Sequence, residues 1–188
     1  MIMQKRSNDI ALVAPPWWLI PSKNTGTATE HLIEDYGYNL RVQGFSSTIF
    51  SREQDYTDIY DISDVNKYSN NYVYAKVSRV DRAFFKKRNL LFYLIYILRV
   101  AIKIRRLGIK KIIVFQTFPF CFWIKIFNPR STVLFHIGSH ELSKRENYFN
   151  YGYISDSLGK RVFSKIDYVI AVSKHIQKGI KERFPMVK

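Results

Sequence analysis

The stretch IALVAPPWWLIPSKNTGTATEHLIEDYGYNL, residues 10–40, decides the fold. Its first five residues, IALVA, are a fully apolar run with β-branched members, ended by Pro15 and Pro16. A strand with one wet face alternates polar and apolar residues, so an unbroken apolar run of this length reads as a central strand buried on both faces. The prolines and Gly26 then mark a loop, and from about Thr27 the apolar positions Leu32, Ile33, Tyr36 and Leu40 follow a helical period. Gly44 is the expected C-terminal cap, because glycine takes the left-handed conformation that ends a helix at little cost. FSSTIF, residues 45–50, supplies the next strand. Strand, helix and strand in this order predict a parallel pair joined by a right-handed crossover.

The same rhythm continues outward. Residues 52–71 are polar, rich in Asp and Tyr and without a sustained period, which predicts a long connection; residues 72–80 (YVYAKVSRV) alternate enough for a strand or edge strand. Residues 89–107 predict a largely buried helix with an exposed basic end. Phe92, Tyr96, Arg99, Lys103 and Arg106 fall on one stripe, and Leu91, Leu94, Ile95, Leu98 and Ile102 fill the rest. Gly108 stops that helix, and residues 109–115 form a strand closed by Gln116 and Thr117. The aromatic segment 118–127 predicts a short helix on the sheet end, Asn128-Pro129 a turn, and residues 131–136 (STVLFH) a strand. A polar, flexible stretch is expected over 137–153, a helix over 154–164, a strand over 167–172 and an amphipathic helix over 174–184. The whole predicts an α/β fold, a Rossmann-like parallel sheet with helices on both faces, in one domain spanning residues 1–188.

Composition narrows the function classes. The chain has 188 residues, 47% of them hydrophobic and 16% aromatic, enough to build one core and inconsistent with a disordered tail. Its net charge of +15 is uneven: residues 1–80 hold 8 Lys/Arg against 9 Asp/Glu, whereas residues 81–188 hold 22 against 6. The second part is therefore expected to face something anionic: substrate phosphate, an acidic membrane surface or nucleic acid. Cys121 is the only cysteine, so no internal disulfide forms and a reducing, cytoplasmic compartment is expected, with packing as the role of the thiol. The apolar run 10–14 is too short for the core of a signal peptide, and the run 90–98 is far below the roughly 20 residues that span a bilayer. No metal-ligand spacing occurs, and neither a metal nor a cofactor is expected.

Three places carry a resemblance. In the opening block, Leu40, Gly44, Phe45 and Thr48 form a Leu-x-x-x-Gly-aromatic-x-x-Thr pattern after a proline-bearing loop, the turn at Gly26 and a helix with an early Glu, Glu30. Residues 133–142 (VLFHIGSHEL) end a strand in His136, and residues 167–173 (DYVIAVS) lead into a helix. Together these resemble glycosyltransferase family 4 over nearly the whole chain. The resemblance implies one half of a GT-B architecture, the N-terminal, acceptor-side domain, with the C-terminal nucleotide-sugar-binding domain lying outside residues 1–188. It also implies a retaining transfer of a glycosyl group from a nucleotide-sugar to a glycan or polyprenyl-linked acceptor, and no activity for this chain alone.

In that frame His136 is the catalytic candidate. At the carboxyl end of a parallel strand it sits where ligands of such sheets bind, although a His that closes a strand and bonds a loop fits the residues too. Gly26, Thr27, Glu30, Gln116, Thr117, His140 and Glu141 are the substrate-binding candidates, the first two because a glycine turn at a helix N-terminus presents N–H groups to a diphosphate. Only Gly26 stands where the family usually carries two adjacent glycines. Arg82, Lys86, Lys87, Arg88, Arg99, Lys103 and Arg106 are expected to contact anions or the inner face of the cell membrane. The rival reading is a non-catalytic basic module for a membrane surface or nucleic acid. No helix-turn-helix, zinc-ligand or RNA-binding signature appears, so nucleic acid is not expected. A dinucleotide enzyme is disfavoured as well: G-x-G-x-x-G is missing, and Ser51-Arg52 follows the second strand where an acid belongs.

Overall fold

A computed structural model describes residues 9–16, 20, 28–52, 71–75, 90–138, 142 and 154–188. The apolar run at the start of the chain forms β1 (Asp9–Val13), whose Ala11, Leu12 and Val13 have no exposed surface. Then come α1 (Ala28–Val42), β2 (Ser46–Arg52), β3 (Asn71–Ala75), α2 (Leu90–Leu107) and β4 (Lys111–Phe115). The chain continues through α3 (Phe118–Phe127), β5 (Thr132–Ile137), α4 (Asp156–Phe163), β6 (Tyr168–Ala171) and α5 (Lys174–Arg183). All five strand pairs are parallel, and the sheet order is β3-β2-β1-β4-β5-β6. The order reverses between β1 and β4, which makes this a doubly wound, Rossmann-like sheet with its switch point between those strands.

Side-chain alternation along the strands divides the core. Ile10, Leu12, Ile49, Ile113 and Phe115 face α1, where Ile33 is buried and Tyr36 and Leu40 pack from above. Ala11, Val13, Phe50, Val114 and Phe135 face the opposite way, into a larger cluster with Tyr96, Ile97 and Val100 of α2, Cys121 and Ile124 of α3, Phe163 of α4 and Ile180 of α5. Helices thus cover both faces. Cys121 packs in that cluster, and burial pushes its thiol well above the usual range, so it is an inert packing group.

Two helices end as the glycines predict. Gly44 (φ 82°) donates to the Arg41 carbonyl and Phe45 to that of Leu40, at 2.8 and 2.9 Å. Gly108 (φ 70°) and Ile109 make the same pair of bonds to Arg105 and Ile104, at 3.1 and 3.2 Å. Both are Schellman motifs, which satisfy the last carbonyls of a helix and demand a left-handed residue.

The α2 pattern differs from its sequence reading. Its core side is Phe92, Tyr93, Tyr96, Ile97, Val100, Ala101 and Ile104, whereas Ile102, expected among the buried filling residues, is 39% exposed. The aromatic and small residues win the interior because they stand on the arc facing the sheet. The Arg99, Lys103, Arg106 stripe is not an uncommitted basic face either: Lys103 is half-buried and its ammonium donates to the carbonyl of Tyr74 on β3. The strand expected over 72–80 is described only as far as Ala75.

Tyr96 joins α2 to the centre of the sheet. Its fully buried hydroxyl lies 2.8 Å from the Ala14 carbonyl and 3.3 Å from that of Phe50, at the carboxyl ends of β1 and β2, and burial pushes its pKa up. Replacing Tyr96 by Phe takes this donor from the buried Ala14 carbonyl, while the Phe50 carbonyl keeps the Ala14 N–H at 3.0 Å, a cost of about 1–3 kcal/mol. For a domain of this size the expected outcome is a melting temperature lower by roughly 2–12 °C, measured by thermal denaturation.

Candidate functional site

The crevice of a doubly wound sheet opens where the chain leaves the carboxyl ends of the two strands beside the switch point. On the β1 side the buried Ala14, Pro15 and Pro16 begin that loop. On the β4 side the chain turns sharply at Gln116, whose φ is 56°, the one positive value for a non-glycine among the described residues. The turn is closed by the Thr117 N–H on the Phe115 carbonyl at 2.7 Å. That is a three-residue γ-turn with a left-handed centre, a strained conformation for a residue with a side chain. The Thr117 hydroxyl also bonds back to Phe115, at 3.0 Å, so α3 begins without a side-chain cap.

Gln116 is held from β5 as well. Its N–H donates to the His136 carbonyl at 3.0 Å, extending the β4–β5 ladder by one bond. Its side chain is buried and lies over Gly138, where a Cβ would stand 2.3 Å from the amide nitrogen. Gly138 is therefore small so that the Gln116 amide can occupy the space above the end of β5. Pattern reading of the sequence missed Gly138; a glycine two residues past a strand-ending His was its one visible signal.

His136 sits on β5 opposite Phe115 and Ile170 and is 2% exposed. Its ring packs 5.0 Å from Phe115 and meets Tyr36 of α1 edge-on at 5.5 Å. The imidazole thus faces the layer between sheet and α1, and its Nδ1 is buried with no hydrogen-bond partner among the described residues. Burial holds its pKa below the ordinary imidazole value, and burial raises that of Tyr36. A neutral His at neutral pH follows.

The other candidates fall in different places. Glu30 is buried in the first turn of α1, where the helix dipole favours a carboxylate. Glu34, one turn later, accepts from the Tyr72 hydroxyl of β3 at 3.2 Å, a contact with no sequence signal because it joins residues 38 apart. Gln116, Thr117 and His136 come together at the ends of β4 and β5, while Arg99 and Arg106 lie exposed on α2, away from that rim. Gly26, Thr27, His140, Glu141, Arg82, Lys86, Lys87 and Arg88 lie outside the described residues.

The Asp-x-x-x-x-Val-Ser stretch has a structural explanation. Asp167 accepts from the Val133 N–H at 2.7 Å and from Lys125 at 2.8 Å, tying the start of β5 to α3. Ser173 caps α5 through the Ile176 N–H at 3.3 Å. Arg183 of α5, its side chain 4% exposed, pairs with Asp156 at 2.8 Å and also donates to the Leu142 and Ile154 carbonyls, tying both positions to α5.

Among the described residues, no group of three or more His, Cys, Asp or Glu is placed to hold a metal ion, and no helix is long and apolar enough to cross a membrane. No family model matches the chain, and no curated protein matches it.

Two measurements check the site. Gln116→Val, which puts a β-branched side chain at positive φ and removes the amide over Gly138, is expected to lower stability by about 1–2 kcal/mol in urea unfolding. For His136, whose folded pKa is depressed, the unfolded chain takes up a proton below about pH 6.5 that the folded imidazole refuses, so the folded state loses stability as pH falls through that region. His136→Phe is expected to flatten that part of the pH dependence of the urea midpoint.

Proposed function

We propose that this chain is the acceptor-binding half of a sugar transferase that moves a glycosyl group, with retention, from a nucleotide-sugar to a glycan or lipid-linked acceptor. The observation that carries the reading is the strained turn at Gln116, braced over Gly138 at the switch point of the sheet. Residues held in sparsely populated conformations persist where the surrounding structure over-determines them, and they cluster at binding sites. The family resemblance in the opening block and around His136 supports the same reading.

In this scheme Gln116 and Thr117 form the floor that orients an acceptor hydroxyl, and a second domain or chain presents the nucleotide-sugar. His136, buried and neutral, acts as a positioning residue: it holds Tyr36 and the end of β5 in place, and its carbonyl carries the Gln116 turn. Stabilising a departing diphosphate requires preorganised N–H groups and cations on the donor side. This half alone is therefore inactive. The rival, a non-catalytic basic module for a membrane surface or nucleic acid, rests on net charge alone.

The test is saturation-transfer NMR of the purified chain with a polyprenyl-phosphate-linked sugar and with nucleotide-sugars. The acceptor is expected to bind and nucleotide-sugars to remain unhydrolysed. Gly138→Ala, which displaces the Gln116 amide, is expected to weaken acceptor binding about tenfold, equivalent to about 1.4 kcal/mol. Turnover of nucleotide-sugars by the chain alone at ordinary enzyme rates overturns the proposal, and so does acceptor binding that Gly138→Ala leaves unchanged. Salt-sensitive binding indifferent to sugar ligands would favour the rival module.

A further inference from the structure

An open cavity lies at the end of the sheet opposite the carboxyl ends of β4 and β5. It has a volume of about 390 Å³ and is formed where α2 and α3 end and where β4 and β5 begin. Arg105, Lys110 and Arg130 line it together with the backbone around Gly108 and the Asn128–Ser131 turn. All three cations are exposed, and none forms an ion pair with a described carboxylate.

Basic residues at helix C-termini usually serve the helix itself, by bonding the last carbonyls or countering the dipole. Here many of the carbonyls around the cavity are already bonded from within the fold. Gly108 and Ile109 donate to Arg105 and Ile104. The Asn128 amide donates to the Ala101 and Ile124 carbonyls, both at 3.1 Å. The Ser131 hydroxyl donates to Ile109 at 3.2 Å, the Thr132 N–H to Lys110 at 2.7 Å, and Lys125 to Ser131 at 2.7 Å. The dipoles do not consume the charge either. Two helix C-termini contribute about half a negative charge each, against three full positive charges around one cavity.

We propose that this cavity binds a phosphoryl group, with Arg105 and Arg130 offering guanidinium forks to its oxygens and Lys110 a point charge. The site is separate from the Gln116 rim and does not depend on the transferase reading. The same chemistry serves a soluble phosphate or the headgroup of an anionic lipid, and the two sources part under experiment.

The full chain, ¹⁵N-labelled, is titrated with inorganic pyrophosphate, and in parallel it is sedimented with phosphatidylcholine vesicles with and without phosphatidylglycerol. Expected are saturable amide shifts confined to residues 108–110, 128, 130 and 131, or retention on phosphatidylglycerol vesicles alone. The first assigns a soluble phosphate and the second a lipid headgroup. In either arm Arg105→Ala with Arg130→Ala weakens binding at least tenfold, while the charge-preserving pair Arg105→Lys with Arg130→Lys retains most of it, and Lys178→Ala on α5 changes nothing. Shifts spread evenly over surface lysines overturn the proposal; so does a double alanine variant that binds like the parent, or no response in either arm.

Discussion

The structure depends on β1 being dry on both sides. Ala11, Leu12 and Val13 have no exposed surface, and β1 is bonded along one edge to β2 and along the other to β4. A strand in that position requires cover above and below the sheet, and parallel neighbours require crossovers long enough to provide it. The helices on the two faces and the reversal of strand order follow from that requirement. The reversal in turn sets the carboxyl ends of β1 and β4 side by side at the switch point, the place where sheets of this kind bind ligands.

That crevice is stiff on the side that is described. Tyr96 pins the carboxyl ends of β1 and β2 from below, and Gln116 is fixed from three directions: by its own tight turn, by the His136 carbonyl and by the space above Gly138. A left-handed Gln is unfavourable in isolation, so its presence means that neighbouring contacts outweigh the strain. His136 belongs to this support. Its ring packs between Phe115 and Tyr36, so its influence on a ligand passes through the backbone of β5.

Charge is sorted by role. Lys103, Lys125 and Arg183 act inside the fold, on the carbonyls of Tyr74, Ser131, Leu142 and Ile154. Arg105, Lys110 and Arg130 gather instead around the cavity at the base, where Gly108 and Ile109 already cap α2. Among the described residues, then, part of the positive charge is structural mortar and part lines the cavity at the base of the sheet.

Much of the fold was legible in residues 10–50, because strand burial, helical period and glycine caps are local properties: IALVA became β1, and Gly44 and Gly108 ended their helices as glycine must. The carboxyl-end position of Gln116, Thr117 and His136 was equally readable, since it needs only the order of strands. Tertiary structure alone decided which way those side chains turn. The His136 ring went under α1 because alternation along β5 places it on the face of Leu134, and the left-handed Gln116 arose from a turn that no residue pattern announces. Glu34 with Tyr72, and Arg183 with Leu142, join positions far apart in the chain. A sequence states which residues can be buried or can bend; packing decides which of them meet.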